Sequence, residues 1–364
     1  MRIKGSFLKP KISILTPSFN HESYVGLFIE SVLSQSFTDF ELVIVDDYSS
    51  DNNINEIVKF KDSRIKLIRH SYNQGINAAL NTAFENSSGE YLIFCASDDC
   101  LESHALEELY KALRENPQAK AVYPALTKID MNGKKDNEKF MEIEHKSREE
   151  YIHRFFMANN YFTSPGMAMR RADFEQILYP LDRAMCNQQD TQMHIKILLH
   201  GDIKILDKPL VLYRFDSSAN NISARTFVTT KRERAEIERL MDSFLEMRDI
   251  DLLKKVFKKE IADLGITPKE GQIQYFLGRM AMQSMIKERQ IWGYHKIMES
   301  YSTKEGAENL KENYNFDFKQ YLSLAGHIDD TIENKYRKYK KLFKILIYAN
   351  IALCFIIVWL VCRG

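Results

Sequence analysis

The stretch YLIFCASDD, residues 91–99, decides the fold because a run of apolar residues passes directly into an acidic pair. Its first six residues have the length and composition of a strand that is buried on both faces. KISIL (11–15), FELVIV (40–45) and IKLIRH (65–70) repeat the pattern upstream. Short apolar runs of this kind are typical of the inner strands of a parallel sheet.

Helical periodicity fills the intervals between these runs. YVGLFIESVL (24–33), NAALNTAFEN (77–86) and ESHALEELYKALREN (102–116) carry apolar residues at helical spacing. Strands that alternate with helices predict βαβ units, and hence an α/β fold with a Rossmann-like, mostly parallel sheet. Ligands of such sheets bind at the carboxyl ends of the strands. Polar and acidic residues follow these ends here, namely Ser18 and Asn20, Asp46 and Asp47, Asp98 and Asp99.

Strand signals fade along the second half of the chain. Asn132-Gly133 indicates a hairpin or loop, and DTQMHIKILLHG (190–201) predicts a helix that ends at its glycine. Beyond about residue 225 the sequence is charged and helical. Those helices fit a packed bundle, a membrane-surface element or an oligomer contact, and the sequence leaves all three open. We therefore predict three parts: a sheet domain (1–225), a helical region (226–334) and a basic juxtamembrane segment with a transmembrane helix (335–364).

The membrane prediction depends on the run ILIYANIALCFIIVWLVC, residues 345–362, which contains no charge. As a helix it spans roughly 27 Å, close to the thickness of a hydrocarbon core. The preceding KYRKYKK (335–341) is basic with interleaved tyrosines, as at a cytoplasmic membrane interface. A buried core helix and a partner-binding helix are the alternatives to a membrane anchor.

Composition narrows the class of partner and the compartment. The chain has 364 residues, with 51 Lys+Arg against 50 Asp+Glu, a formal net charge of +1. This balance gives no electrostatic case for nucleic acid. The five cysteines have no CxxC spacing, which fits a reduced interior better than a disulfide framework. The N-terminus lacks the apolar run of a signal peptide.

Three segments in this order resemble the inverting family 2 glycosyltransferases, which have the GT-A fold. ISILTPSFNHESYVGLFIESVLSQSFTDFELVIVDDYSSD (12–51) is similar to the family's first strand, its Pro-x-aromatic-Asn turn and its Asp-Asp-x-Ser strand end. NQGINAALNTAFENSSGEYLIFCASDD (73–99) is similar to the helix and metal-binding strand end. QDTQMHIKILLHGDIKILDKPLVLYR (189–214) is similar to the acidic helix start and the Pro-Leu-x-x-Tyr-Arg ending. Residues 226–364 are not covered by the resemblance.

The resemblance implies a metal site at Asp98 and Asp99. Mg²⁺ and Mn²⁺ bind carboxylate oxygens, and such a cation neutralises the charge that develops on a departing diphosphate. The family usually has a further Asp where this chain has Ala96, so one carboxylate fewer holds the cation. An acidic turn that caps the next helix is the alternative.

The same resemblance implies the residues of the donor site. Asp47 is expected to hydrogen-bond uracil or ribose, with an Asx turn as the alternative, and Phe19 to lie against the base, with core filling as the alternative. Backbone amides of the helix after Gly75 are expected near the diphosphate, although Leu80 stands where the family often has Arg. The implied donor-binding residues are Pro17, Ser18, Phe19, Asp47, Asn73, Gly75, Ser97 and Asp98.

Asp190 is the general base that the resemblance implies. An acceptor hydroxyl attacks best if a carboxylate takes its proton. Gln189 precedes Asp190 where the family more often has Glu, and an N-cap of its own helix is the alternative or additional role. Asp182 is the nearby second candidate. Further acceptor or diphosphate contacts are expected from Arg170, Arg171, Tyr213 and Arg214, with solvated surface residues as the alternative for the first two.

Together these features predict an inverting, metal-dependent glycosyltransferase. It is expected to take a UDP-sugar and a lipid-linked or membrane glycan acceptor at the cytoplasmic face of the inner membrane, in contact with membrane lipids. A nucleotidyltransferase is a second possibility, but LTPSFNHES (15–23) lacks the Gly and Lys of such a loop. A membrane scaffold of the same fold that has lost turnover is a third.

Overall fold

The structure is a computed structural model that describes residues 9–140, 143–158, 163–214, 226–328 and 339–347. The strands in this part of the chain are β1 (Ile12–Ser18), β2 (Phe40–Asp46), β3 (Ile65–Arg69), β4 (Tyr91–Phe94), β5 (Cys100–Leu101), β6 (Ala119–Ile129), β7 (Lys135–Phe140), β8 (Ala168–Arg170) and β9 (Asp202–Arg214). The helices that accompany them are α1 (Val25–Leu33), α2 (Asn53–Ile57), α3 (Ile76–Glu85), α4 (Ala105–Glu115), α5 (Arg148–Met157), α6 (Arg171–Ile177) and α7 (Gln189–His200). The later helices are α8 (Phe227–Asp242), α9 (Ile250–Val256), α10 (Lys258–Leu264), α11 (Ile273–Ala281), α12 (Lys287–Tyr301), α13 (Lys304–Tyr314) and α14 (Phe318–Leu324).

All the described strands form one sheet in the order β3-β2-β1-β4-β8-β6-β9-β5, with β7 paired to β6. Strands β3, β2, β1 and β4 are parallel, as are β6 and β9. Strand β8 is antiparallel to both of its neighbours, and β5 and β7 also pair in the antiparallel sense. The sheet is therefore mixed, and the prediction of a mostly parallel sheet is wrong for the strands after β4. A hairpin such as β6–β7 can join only antiparallel strands.

The core explains why the parallel strands are apolar throughout. Every residue of β2 and β4 is buried, and so is every residue of β1 but one. Alternate residues such as Ile14, Ile44 and Ile93 pack in one cluster with α1 and α4, while α3 packs on β1 and β2. Because side chains alternate between faces, a strand covered on both sides needs apolar residues at every position.

Most predicted elements are confirmed. The Asn132-Gly133 turn joins β6 to β7, with the Gly133 amide donating to the carbonyl of Asp130. The amphipathic segment after residue 102 forms α4, and the predicted helix that closes at Gly201 forms α7. The segment after Gly201 forms one thirteen-residue strand, β9, that pairs with β6 through register shifts.

The described chain divides into two compact units, one up to Leu277 and one from Gly278. Helices α8 to α10 belong to the first unit, where Phe244 and Phe257 pack edge-on against Phe156 of α5. In the second unit α12 contains the buried Trp292 and packs on α13. The compact units thus separate later than the predicted boundary at residue 225.

The predicted transmembrane helix lies largely outside the described residues, which include only 339–347 of the tail. These nine residues are helical, and all of their side chains are exposed. Within the described parts of the chain, we find no helix with the length and hydrophobicity needed to cross a membrane.

Candidate active site

The loops that follow β1 and β2 are joined by side chain to backbone hydrogen bonds. The Asn20 amide donates to Ser49 Oγ (2.9 Å), and the Ser50 amide donates to Asn20 Oδ1 (2.8 Å). Asn20 has a φ of 56°, a left-handed conformation that asparagine tolerates. The neighbouring Phe19 is 40% exposed, so its ring does not fill the core.

Buried hydroxyls link the end of β1 to the loop after β4. Ser97 Oγ lies 2.8 Å from Ser18 Oγ and 2.7 Å from His21 Nδ1. His21 Nε2 in turn lies 3.9 Å from Asp98 Oδ2. Ser18 and Ser97 are both buried, and in this structure they fix the loop that presents Asp98.

Asp98 opens into a groove of about 560 Å³. Its carboxylate accepts no hydrogen bond from any described residue and is partly exposed, and His21 Nε2 lies 3.9 Å from Oδ2. In this groove the aromatic face suits a base, and the carboxylate suits a cation that also binds a diphosphate. The described lining consists of Phe19, Asn20, His21, Glu22, Ser23, Tyr24, Ser50, Asp51, Asp98, Met131 and Arg214.

Asp99 and Arg214 are hydrogen-bonded to each other beside this groove. Asp99 is buried, and its Oδ1 accepts a hydrogen bond from the Arg214 amide (2.9 Å). The Arg214 guanidinium donates to the carbonyls of Asp98, Asp130 and Met131 and is 3% exposed. Burial, together with the charge of Asp98, raises the pKa of Asp99 well above its usual range. Arg214 therefore connects β9 to the acidic loop, and its diphosphate contact stays a prediction.

The residues present fit a metal that is shared with a substrate. No cluster of three His, Cys, Asp or Glu ligands occurs among the described residues. Mg²⁺, however, is commonly held by one or two carboxylates with substrate phosphates and waters completing its shell. Asp98 offers such a carboxylate, with the buried Asp99 directly beside it. Neither caps the next helix, because α4 begins after His104 without a side-chain cap.

Asp47 holds the start of α3. Its Oδ1 accepts from the Gln74 amide (2.8 Å) and lies 2.7 Å from His70 Nδ1, while Oδ2 accepts from the Gly75 amide (2.7 Å). Gly75 has a φ of 88°, which glycine adopts without strain. The alternative, an Asx turn at Asp47, is not formed in these contacts; the neighbouring Asp46 accepts from the Ser49 amide. Asn73, the neighbouring donor candidate, is exposed.

Asp190 lies in the first turn of α7 and faces a mainly apolar pocket of about 70 Å³ at the ends of β1 and β4. Burial raises the pKa of its carboxyl to about 6, although the Thr191 amide donates to Oδ1 (2.7 Å). A carboxylate with this pKa is matched to proton abstraction near neutral pH. The described lining is Pro17, Ile76, Leu80, Phe94, Cys95, Ala96, Ser164, Pro165, Gln189, Asp190 and Met193.

The three departures from the family pattern line this one pocket. Ala96 and Leu80 replace residues that are usually acidic and basic, and Gln189 replaces a usual Glu. The first two changes remove one negative and one positive charge from the same space. Gln189 removes a second negative charge, so Asp190 is the only carboxylate among the described residues that line the pocket.

Tyr213 relates the two acidic sites to each other. Burial and the charges of Asp99, Asp98 and Asp190 raise the pKa of the Tyr213 phenol to about 12. Ala96, two residues before Asp98, lines the same pocket as Asp190. The structure thus places the acidic loop and the base candidate beside each other at the carboxyl ends of the strands.

Arg170 and Arg171 lie elsewhere. Arg170 pairs with Tyr91 at the start of β4, whereas Asp98 follows the other end of that strand. Its guanidinium donates to the carbonyls of Leu113, Asn116 and Ala119. Arg171 donates to the Gly89 carbonyl and Ser87 Oγ. The expectation that these arginines contact the acceptor or the diphosphate is therefore wrong. Because β8 runs antiparallel to β4, both arginines lie at the end of the strands opposite to Asp98.

Asp182, the second candidate base, is engaged by α8. Its Oδ2 accepts from Arg239 Nε (2.8 Å) and its Oδ1 from the Ala184 amide. Burial opposes these bonds, but together they lower the pKa of Asp182. An ion-paired carboxylate with a lowered pKa is the poorer base, so the geometry favours Asp190.

Two histidines of the site were missed from the sequence. His70 directly follows β3 and bonds Asp47, and its Nε2 lies 3.0 Å from Thr82 Oγ1. The strand-end rule that selected Asp47 also applies to His70. His21 lies three residues beyond β1, and only its contact with Ser97 reveals its place beside Asp98.

Comparisons with known proteins identify the class of enzyme. Residues 13–178 match the family described as Glycosyl transferase family 2. The chain is a glycosyltransferase. It is 26% identical over 239 residues to UDP-Glc:alpha-D-GlcNAc-diphosphoundecaprenol beta-1,3-glucosyltransferase WfgD of Escherichia coli, across 61% of this chain and 83% of that protein. It is also 26% identical over 317 residues to an uncharacterized glycosyltransferase, alr2836, of Nostoc sp., across 85% of this chain and 94% of that protein.

The fold of the glycosyltransferase is shared with a solved structure. S. aureus TarS 1–349 in complex with UDP-GlcNAc superimposes with a TM-score of 0.56 at 18% identity, over 84% of this chain and 94% of that one. The GT-A-like α/β fold with a following helical region is thereby confirmed. The match extends past the sheet, so the helices after residue 225 are partly included in it.

Proposed function

We propose that this glycosyltransferase transfers a sugar, with inversion, from a UDP-sugar to a hydroxyl of a lipid-linked glycan at the cytoplasmic face of the membrane. The observation that carries the proposal is the pairing of two unlike carboxylates at one sheet edge. Asp98 is open to a groove that also contains Phe19, whereas Asp190 lines a mainly apolar pocket. The first suits a cation and diphosphate, and the second suits proton abstraction.

The chemistry divides between these residues. Asp190 takes the proton of the acceptor hydroxyl, whose oxygen forms a bond to the anomeric carbon as the carbon–oxygen bond to UDP breaks. UDP leaves with the electron pair. A divalent cation, when bound, neutralises the charge on the departing diphosphate. Asp98 would hold that cation, and the ring of Phe19 would stack on the base.

The relatives support the substrate classes. WfgD is named for a UDP-Glc donor and a diphosphoundecaprenol acceptor, and TarS was solved with UDP-GlcNAc. Enzyme and acceptor confined to one membrane surface meet at a higher effective concentration. The apolar run at 345–362 and the basic segment before it would supply that confinement, as a transmembrane or membrane-embedded anchor.

The test is donor binding and UDP release by the full-length chain in detergent. A panel of UDP- and GDP-sugars is titrated with Mg²⁺ or Mn²⁺, and EDTA is then added. A UDP-sugar is expected to bind, and Asp98→Ala or EDTA is expected to weaken binding at least about tenfold, since the first removes a ligand of the cation and the second removes the cation itself.

Asp207→Ala is the matched control, because Asp207 is an exposed aspartate of β9 that contacts His145 outside the groove. It is expected to leave donor binding unchanged. Failure of every nucleotide sugar to bind would refute the proposed function. If EDTA and Asp98→Ala both leave binding unchanged, the metal has no part in donor binding and that part of the proposal is refuted.

A further inference from the structure

One face of α8 contacts the segment that leads into α7. Arg232, Glu236 and Arg239 lie at i, i+4 and i+7, so their side chains project from the same side of the helix. Arg232 Nη1 donates to Asn187 Oδ1 (2.9 Å), and Arg239 Nε donates to Asp182 Oδ2 (2.8 Å). The segment 182–188 is thus bound along its length by a helix that the family resemblance does not cover.

Glu236 makes the central contact of this face. Its Oε1 accepts from the Cys186 amide (3.2 Å), and its Oε2 accepts from the amides of Asn187 (2.9 Å) and Gln188 (2.8 Å). The carboxylate is 8% exposed. Amides at the start of a helix lack partners within the helix, and bonds from them to an ionised acceptor are strong. Gln188 is the N-cap residue of α7, so Glu236 binds the backbone that leads into the helix and not the amides of its first turn.

The other side of the segment is tied to α3. Asn77 Nδ2 donates to the Asp182 carbonyl (2.7 Å), and Asn81 exchanges two hydrogen bonds with the backbone of Leu181. Helix α3 begins at the Gly75 turn that Asp47 holds. The backbone before Asp190 is therefore fixed on one side by the donor-side helix and on the other by Glu236.

We propose that Glu236 is a positioning residue for Asp190. Its carboxylate fixes the backbone of residues 186–188, and that backbone sets the direction in which the Asp190 side chain enters its pocket. Asp190 follows Gln188 by two residues, so a shift of these amides is transmitted directly to its carboxylate. The inference rests on the proposed function, in which Asp190 is the general base.

The experiment compares Glu236→Gln and Glu236→Ala with Glu233→Gln, a charge-matched control one turn earlier on α8. The full-length chain is assayed for donor affinity, kcat, thermal stability and the pH dependence of kcat. Because displacement of a catalytic group by about 1 Å can cost about 100-fold in rate, we expect kcat to fall about 10- to 100-fold in Glu236→Ala and less in Glu236→Gln. Donor affinity should stay within about twofold, since Glu236 does not reach the groove.

Two readouts separate positioning from a merely structural role. The acidic limb of the kcat profile should move to lower pH in Glu236→Ala, because a displaced Asp190 is better hydrated. In an Asp190→Asn background Glu236→Ala should add nothing to the residual rate, since its effect passes through Asp190. Glu233→Gln should match the parent chain in all of these measurements.

Three outcomes would overturn the inference. The first is a normal kcat in Glu236→Ala. The second is that Glu236→Ala lowers the residual rate of Asp190→Asn by the same factor as it lowers kcat of the parent chain. The third is that donor affinity and stability fall in parallel with kcat. If the parent chain binds no nucleotide sugar, the proposed function fails and the inference fails with it. An active parent chain that needs Asp190 but tolerates Glu236→Ala refutes the inference alone.

Discussion

Asp190 owes its suitability as a base to its surroundings. Aspartate ordinarily titrates near 3.9, and a hydrated carboxylate with that pKa is a weak proton acceptor. Here apolar side chains from β1, β4, α3 and α7 enclose the group, and burial raises its pKa to about 6. At neutral pH the carboxylate is still ionised, but it is held in a site that disfavours its charge.

This environment gives Asp190→Asn opposite effects on activity and stability. Turnover should be lost while donor binding is kept, because the amide cannot accept the acceptor proton. The folded state binds the Asp190 proton more tightly than the unfolded state, so stability falls as pH rises from about 4 to 6. Removing the charge should therefore raise the free energy of unfolding at neutral pH by on the order of 1–3 kcal/mol.

Urea unfolding of the parent chain and Asp190→Asn at several pH values checks this prediction. The stability gain should shrink toward zero below about pH 4, where aspartate is protonated in both states. In the parent chain kcat should fall about tenfold per unit below pH 6. A variant that is less stable than the parent at neutral pH would contradict the burial of an uncompensated charge.

At the scale of elements, the site is assembled by contacts between ends of elements. The start of α3 depends on the carboxylate of Asp47 at the end of β2, which accepts from both Gln74 and Gly75 amides and contacts His70. Helix α3 in turn contributes Ile76 and Leu80 to the pocket of Asp190. A single carboxylate therefore connects the donor side of the sheet to the base.

Asp47→Asn tests this connection. The amide would place an N–H donor against one of the donors that the carboxylate now accepts, so the free energy of unfolding should fall by about 1–3 kcal/mol. Asp39→Asn is the control, because Asp39 is exposed and accepts one long hydrogen bond from the Lys11 amide (3.3 Å). Equal stability of the two variants, with UDP affinity lost only in the first, would show that Asp47 serves the ligand and not the helix.

Elements set by local pattern could be predicted from the sequence, and those set by distant contacts could not. The buried runs of β1, β2 and β4 and the carboxylates after them follow from periodicity and strand ends. The antiparallel direction of β8 depends on its pairing with β4, which is distant in the sequence. This pairing places Arg170 at the end of the strands away from Asp98. Burial of Ser97 and the pKa of Asp190 likewise depend on side chains contributed by several separate segments, which no single stretch reveals.

At the scale of the whole molecule, the helical half does two different things. Helices α8 to α10 complete the first unit, and α8 reaches the backbone beside Asp190 through Glu236. The second unit contains its own buried core around Trp292, Ile297 and Leu310. Only the segment from 335 onward carries the basic and apolar composition of a membrane contact.

We expect the tail, and not the enzyme's catalytic unit, to determine membrane attachment. The helical residues 339–347 expose Leu342, Phe343 and three isoleucine or leucine side chains next to Lys340, Lys341 and Lys344. Lysines of this kind gain about 1 kcal/mol each near an anionic surface, and the uncharged run that follows would add a larger apolar contribution. The full-length chain should therefore float with anionic vesicles.

A chain that ends at residue 334 should stay in the aqueous fraction while it keeps donor binding and turnover of a water-soluble acceptor, because every proposed catalytic group lies before Asp242. Salt at about 1 M screens lysine contacts but not apolar burial, so vesicles that retain the full-length chain through this wash would indicate insertion of the 345–362 run. Release by salt would indicate surface attachment by the basic segment alone. Flotation of the truncated chain would place the membrane contact within the folded units instead, and would contradict an anchor in the tail.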